Sequence, residues 1–276
     1  MPTTLVTGGT GTTGRLVAAL LRRQGATART AGRSRAADVR FDWTDPATHG
    51  PAVAGADRVY LVAPTGEPDP AALVEPFLGT ALRAGVRRVV LLSSSAVEPG
   101  DPGLGQVDSL VRERAPQWAV LRPSWFQQNV TGDHPVARSL REEDRVVTAT
   151  GTGRVALVDA RDIAAVAVRA LLDEPSHDTE HVLTGPQALS WSDVADLVSA
   201  ARGRAARHEP VGVDELARRW VAAGLPEPFA RALAALDEDI SLGRHDVTTD
   251  TVRRVTGRDP RALADLLAEH FGAHAA

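Results

Sequence analysis

Near its amino end the chain reads Thr7-Gly8-Gly9-Thr10-Gly11-Thr12-Thr13-Gly14, with the β-branched run Thr3-Thr4-Leu5-Val6-Thr7 before it and the amphipathic stretch Arg15-Leu16-Val17-Ala18-Ala19-Leu20-Leu21-Arg22 after it. Strand, glycine loop and helix in that order make a place for an anion. Glycine turns tightly and lets the backbone approach a ligand with no Cβ in between. The helix start adds free N–H groups and the positive end of a dipole. A dinucleotide pyrophosphate fits this pattern, with Gly8, Thr10, Gly11, Thr12, Thr13 and Gly14 as its contacts.

The remaining candidates fall where a parallel sheet would deliver them. After the second strand comes Ala31-Gly32-Arg33-Ser34-Arg35, which has no acid. An acid there would take a ribose hydroxyl, whereas arginine accommodates a 2′-phosphate, so Arg33 with Ser34, helped by Arg35, points to NADP(H). Asp42 either accepts from the adenine amino group or caps the turn at Trp43-Thr44-Asp45. Ala63-Pro64-Thr65 and Ser93-Ser94-Ser95 follow the fourth and fifth strands, at the carboxyl edge where ligands of such sheets sit. Ser95 either bonds a reacting carbonyl or serves the strand-to-loop turn; Ser93 is read as structural support beside the cofactor.

Composition removes other chemistries. There is no cysteine, which excludes disulfides and thiol nucleophiles, and no lysine, since all 31 basic residues are arginines; Schiff-base catalysis is thereby excluded. A net charge of −4 gives no basic face for nucleic acid. No His-Glu-x-x-His pattern is present and no metal site is expected. The chain holds no apolar run of the roughly 18 residues needed to span a membrane. A strand begins almost at once, so no signal peptide is expected and the cytoplasm is the expected location. A monomer or homodimer acting on a small molecule is the expected form.

These residues need a scaffold. Short apolar runs predict strands at 26–31, 40–42, 59–62, 86–92 and 118–122, alternating with helices at 13–24, 47–54, 70–83 and 106–114. Gly25 and Gly85 stand at helix C-caps. This alternation predicts α/β architecture, a Rossmann-like doubly wound parallel sheet over residues 1–130. Residues 131–276 read as a smaller, helix-rich substrate lobe laid across the carboxyl edge, with strands returning to the core sheet. There, 146–158 suggests a hairpin or a turn into an edge strand. Asp162 opens a helix over 163–173, Ser190 or Ser192 caps one to about 201, and others lie at 213–223, 226–238 and 260–271.

Several segments together resemble the NmrA-like atypical short-chain dehydrogenase/reductases. They are the glycine loop at 7–14, Leu91-Leu92-Ser93-Ser94-Ser95-Ala96, Leu121-Arg122-Pro123-Ser124-Trp125-Phe126-Gln127-Gln128-Asn129 and Asp159-Ala160-Arg161-Asp162-Ile163-Ala164. Leu183-Thr184-Gly185-Pro186 and Gly257-Arg258-Asp259-Pro260 follow in the same order, so the likeness runs over nearly the whole chain. It implies NAD(P)H binding. It also puts Ala63, Pro64, Ser93 and Pro123 beside the cofactor, and Thr65, Trp125, Phe126, Gln127 and Asn129 beside a substrate.

The chain departs from the wider superfamily's tyrosine–lysine catalytic pair. Its one tyrosine is Tyr60, on the fourth strand, and where the pair would fall it has Gly105-Gln106-Val107-Asp108-Ser109-Leu110-Val111-Arg112. Asp108 could donate a proton only if burial raised its pKa well above about 4. The catalytic candidates are therefore Ser95 and Asp108. The expected activity is NADPH-dependent hydride transfer to a flat or electrophilic small molecule, an imine, enone or quinone. The alternative is an NADP(H)-sensing regulator acting through a protein partner.

Overall fold

In the computed structural model, which describes residues 2–272, the chain forms two compact units. The first comprises the chain through Pro123 with Ala160–Leu183 and Arg254–Gly257; the second comprises Ser124–Asp159, Thr184–Arg253 and the chain from Arg258 onward.

The first unit is built on seven parallel strands: β1 (Thr3–Thr7), β2 (Thr27–Gly32), β3 (Val39–Arg40), β4 (Arg58–Val62), β5 (Arg88–Leu92), β6 (Gln117–Pro123) and β9 (Thr179–Leu183), in the order β3-β2-β1-β4-β5-β6-β9. The order reverses at β1, which makes its carboxyl end the switch point where such sheets bind ligands. Side chains alternate along each strand. Leu5, Val59, Leu61, Val89 and Leu91 share a core with Val74, Phe77 and Leu78 of α3 (Pro70–Arg83) and Val107 and Val111 of α4 (Leu104–Arg114). The opposite face is covered by α1 (Gly14–Arg23) and α7 (Ala160–Leu172).

A buried cation ties α7 to the sheet. Arg88, at the start of β5 and 1% exposed, donates to the carbonyls of Leu171 (2.9 Å) and Asp173 (2.7 Å), to Gln117 (3.0 Å) and to Glu174 (3.1 Å). A buried charge is tolerable only when its donors are met this way, here by the negative end of a helix and a carboxylate.

In the second unit β7 (Arg145–Thr148) pairs in parallel with β11 (Arg207–Pro210), and β8 (Arg154–Val155) pairs antiparallel with β10 (Leu189–Ser190). The segment 146–158 is therefore not a hairpin. Alternation marks a strand without naming its partner. At Gly151-Thr152-Gly153 the chain turns away, with Gly151 at φ +54° and Gly153 packed so tightly on the Ile240 carbonyl that a side chain has no room. Ser190 caps α8 (Trp191–Arg202) in a reciprocal box with Asp193 (3.2 and 2.9 Å). The helices α9 (Val213–Ala222), α10 (Glu227–Ser241) and α12 (Leu263–Gly272) match expectation, although α12 starts three residues later than Pro260. The sequence did not announce the strands β9, β10 and β11 or the helices α5 (Gln128–Thr131), α6 (Pro135–Glu143) and α11 (Thr251–Thr256).

Candidate functional site

The glycine loop has the form its spacing predicts. Gly8 adopts φ +59°, and its carbonyl accepts from the Gly11 amide (2.9 Å). A Cβ on Gly9 would stand 2.5 Å from the Thr30 Cβ, and one on Gly14 would collide with the Gly8 carbonyl. Thr7 locks the strand end, its hydroxyl accepting from the Val62 amide (2.8 Å). Gly8, Thr10, Gly11 and Thr12 are exposed, while Thr13 is buried. At the N-terminus of α1, Thr13 forms no side-chain cap and the first turn holds no acid. The helix start thus keeps open N–H donors over a backbone cradle that side chains would fill. These residues fit a dinucleotide pyrophosphate.

At the end of β2, Arg33, Ser34 and Arg35 are exposed. The Ser34 hydroxyl accepts from the Ala36 amide (3.1 Å). Asp38, which the sequence reading passed over, is the first acid after β2. Its carboxylate accepts from the Thr30 amide and hydroxyl (both 2.8 Å) and pairs with Arg22 (2.6 Å). The Thr30 hydrogen bonds lead in holding its pKa below the usual carboxylate range. Asp42 accepts from the Thr44 amide (3.1 Å) and hydroxyl (2.9 Å), which is the turn-capping role of its two. Those bonds, with smaller help from nearby Arg33 and Arg40, lower its pKa. Trp43, in the same turn, packs edge-on against Phe41 (4.8 Å) and Phe77 (5.1 Å).

The carboxyl ends of β4 and β5 carry Ala63 and Pro64, both half-buried, exposed Thr65, and the serine triplet. Backbone amides of Ser93 and Ser95 bond to the carbonyls of Leu121 (2.7 Å) and Pro123 (3.0 Å), which sets the loop against β6. The Ser93 hydroxyl is buried without a hydrogen-bond partner. That of Ser95, half-exposed, makes no bond to other described residues. Arg122, 5% exposed, pins the same loop by donating to the carbonyls of Ser94 (3.4 Å) and Val97 (2.8 Å), and it pairs with Glu98 and with Glu180 (3.3 Å).

Asp108 does not have the surroundings of a proton donor. It is fully buried on α4, and its carboxylate is ion-paired to Arg112, which also holds Glu180 at 2.6 Å. Gln127 is corrected outright. It is 0% exposed, and its amide donates to the carbonyls of Leu157 (3.1 Å) and Arg261 (2.9 Å), so it cannot face a substrate. Tyr60 is wholly buried on β4, where desolvation raises its pKa far from any catalytic range.

In the second unit, Trp125, Phe126 and Asn129 are half-buried. The backbone around them is fixed by bonds from the Val158 amide to the Trp125 carbonyl (2.8 Å) and from the Gln127 amide to the Val158 carbonyl (2.9 Å). Trp125 leans on the core of Val130, Leu157 and Trp191, and meets the His245 ring edge-on with centroids 4.8 Å apart. Asp159, 0% exposed, pairs with Arg261 (2.9 Å) and accepts from Gln128 (3.0 Å). Neither His245 nor the Asp159–Arg261 pair was singled out by sequence reasoning; the aspartate's signal was its place in the Asp-Ala-Arg-Asp segment.

Two other histidines are structural. His134 caps α6, its Nδ1 accepting from the Val136 amide (3.2 Å), and burial pulls its pKa down to about 4. His181 bonds the ring of His177 (2.8 Å), four residues earlier, and burial lowers its pKa to about 4 as well. Among the described residues, no group of three or more His, Cys, Asp or Glu could hold a metal ion, and no helix is long and apolar enough to cross a membrane.

Known proteins align with this architecture. A family described as NAD(P)H-binding matches residues 8–175. An uncharacterized oxidoreductase, YesF, of Bacillus subtilis is 44% identical over 272 residues, covering 96% of this chain and 94% of that protein. The NAD(P)H azoreductase of Xenophilus azovorans is 34% identical across 99% of both. Festuclavine synthase II of Penicillium roqueforti is 35% identical over 97% of this chain and 98% of its own. Among solved structures, NADPH-dependent quinone oxidoreductase QOR2 of Escherichia coli, complexed with NADPH, superposes with a TM-score of 0.77 at 21% identity, covering 97% of this chain and 99% of that one. The negative transcriptional regulator NmrA, in complex with NAD, does so with a TM-score of 0.79 at 15% identity, covering 99% and 96%. These two likenesses are of fold alone. The chain belongs to the NAD(P)H-binding family whose model it matches, and it is an NAD(P)H-dependent oxidoreductase.

Proposed function

We propose that the protein uses NADPH to reduce a flat or electrophilic small molecule, an imine, enone or quinone. The observation that carries the cofactor choice is the end of β2. The first acid there, Asp38, is committed to Thr30 and Arg22, while Arg33 is exposed. An arginine without a competing acid favours the 2′-phosphate and therefore NADPH over NADH. Relatives that are reductases or oxidoreductases by name support the class of reaction.

In this reading Gly8, Thr10, Gly11, Thr12, Thr13 and Gly14 hold the pyrophosphate, and Arg33 with Ser34 holds the adenosine phosphate. Ala63, Pro64, Ser93 and Pro123 line the nicotinamide half; Asp42 stays with its turn. The bound cofactor supplies hydride. In the second unit Trp125, Phe126 and Asn129 are the substrate candidates, with Trp125 offering a flat acceptor a surface to lie on. The unengaged Ser95 hydroxyl is available to hydrogen-bond the acceptor's heteroatom. An already electrophilic acceptor asks less of the protein than a simple ketone, so positioning does most of the work. NADPH oxidation against a panel of quinones, imines and enones tests the reading. Turnover with at least one class, faster with NADPH than NADH, is expected. Tight NADPH binding with no acceptor reduced would overturn it in favour of a cofactor sensor.

A further inference from the structure

The second unit holds a line of hydrogen-bonded side chains that no role above uses. His208 on β11 pairs with Val146, which puts its side chain on the face of β7 that also carries Thr148. Its Nε2 stands 2.8 Å from the Thr148 hydroxyl, which meets that of Thr150 at 2.9 Å; both threonines are buried. On the other side its Nδ1 lies 3.4 Å from the hydroxyl of Ser192, in the first turn of α8. Ser190 caps that helix, and Asp193 is taken up by Ser190 (2.9 Å) and Arg154 (3.4 Å), so the exposed Ser192 hydroxyl serves neither. When Nε2–H donates to Thr148 and Thr148 donates to Thr150, Nδ1 is left to accept from Ser192. A hydroxyl, a base and a third group that orients the base are the parts of an activated serine. Burial lowers the pKa of the His208 ring, so at neutral pH it is uncharged and able to take a proton.

We propose that the second unit carries an esterase activity, independent of the nicotinamide cofactor, in which Ser192 is the nucleophile, His208 its base and Thr148 the residue that positions the base. The Ser192 oxygen bonds to the carbonyl carbon of an ester while its proton passes to Nδ1 of His208. The electron pair on the carbonyl oxygen then returns, the bond to the leaving oxygen breaks, and that oxygen takes the proton from the imidazolium. Water, giving its proton to Nδ1, attacks the acyl-serine; the bond from the acyl carbon to Oγ breaks, Ser192 recovers its proton and a carboxylic acid departs. The Ser192 amide, in the first helical turn, has no intrahelical carbonyl to bond and is free to donate to the oxyanion. The same geometry limits the substrate. A threonine hydroxyl stabilises an imidazolium less than a carboxylate does, so the leaving group must itself be a weak base, an aryl oxide rather than an amine. Ser192 stands in the open, which suits a small acyl group such as acetyl.

Two probes test this on the full chain without nicotinamide. Hydrolysis of p-nitrophenyl acetate reads turnover, and mass spectrometry of peptides after treatment with diisopropyl fluorophosphate reads which residue is the nucleophile. The wild-type protein should release p-nitrophenol faster than buffer does and carry the phosphoryl adduct on Ser192. S192A should lose both. H208Q should slow hydrolysis and labelling by about 100-fold, the lower end of what a positioned base contributes, with Tm near wild type. T148V should slow both as well, and T148S, which keeps the hydroxyl, should restore them; a merely structural role for Thr148 would give the two variants the same rates. An adduct on any other residue, or hydrolysis that survives S192A, would overturn the proposal, because a surface imidazole cleaving the ester unaided gives that result. Labelling of Ser192 that is equally fast in H208Q would overturn it too, and so would a wild-type protein that neither hydrolyses the ester nor takes the label. Since the wild-type labelling needs no variant to fold, the proposal can fail on that measurement alone, and every outcome leaves the reductase reading untouched.

Discussion

Gly9 sits directly against Thr30: a Cβ at Gly9 would stand 2.5 Å from the Thr30 Cβ and 2.9 Å from its Cα. Thr30 cannot give way, because Asp38 holds both its amide and its hydroxyl at 2.8 Å. The glycine loop is therefore clamped to β2 from below and open above. G9A should cost about 1–3 kcal/mol of stability by overpacking, measured by denaturant unfolding without cofactor. Gly11 differs, since its Cβ would meet only the Gly8 carbonyl, at 3.2 Å. G11V should keep near-native stability yet lose NADPH binding by calorimetry, because its side chain would fill the space meant for the pyrophosphate. A G11V protein that binds NADPH normally would refute the loop's assignment.

Arg33 is exposed, so its value should appear only when a 2′-phosphate is present. R33A is expected to weaken NADPH binding by about 1.5–3 kcal/mol, the scale of a charge-assisted hydrogen bond, and to leave NADH affinity little changed. Calorimetry with both cofactors reads this directly. Equal losses would mean Arg33 does not read the phosphate.

Asp237 on α10 predicts a pH effect on stability. It is 6% exposed, accepts from the Ala149 amide at 2.9 Å, and burial pushes its pKa up to about 6 from 3.8. A carboxyl that binds its proton more tightly in the folded chain stabilises the fold below its unfolded pKa. That contribution is lost as pH rises through the folded value. At ~1.4 kcal/mol per pKa unit the loss is up to about 3 kcal/mol, spread between roughly pH 4 and 6. Asparagine keeps the acceptor oxygen without the charge. D237N should therefore exceed wild type in unfolding free energy by about 1–3 kcal/mol at pH 7.5 and match it near pH 4. His134 and His181, whose lowered pKa values act in the opposite sense, are common to both proteins and cancel in the difference. A pH-independent difference would show that Asp237 does not titrate as described.

The sheet was legible because its strands are buried on both faces and read as apolar runs between turn residues, as Arg58–Val62 and Arg88–Leu92 do. β9 escaped notice because Thr179-Glu180-His181-Val182-Leu183 spends its polar side chains on local partners: Glu180 on Arg112 and Arg122, His181 on His177. The glycine loop was legible because backbone geometry demands glycine. Arg88, Asp108 and Gln127 were not, since a polar residue looks the same in sequence whether it faces a ligand or a helix terminus. His245 lies in a segment without periodicity, and only folding brings it to Trp125.

The last expectation concerns where the reaction's proton and polarisation come from. Tyr60 is sealed in the sheet, so Y60F should leave kcat and KM nearly unchanged. Asp108 is buried and its carboxylate is engaged by Arg112, a contact that ties it to α4. D108N should lower Tm, with any loss of kcat lacking a new pH dependence. Ser95 keeps a hydroxyl that no other described residue engages, and S95A should lower kcat by about 10-fold if that hydroxyl polarises the acceptor. W125A should instead raise KM for a flat acceptor at nearly constant kcat, because stacking area is lost in ground and transition states alike. Steady-state kinetics on the four variants with a single enone separates these roles. A collapse of activity in Y60F would return the tyrosine to the chemistry, and a D108N enzyme whose pH profile loses a limb present in the wild type would restore Asp108 as the acid.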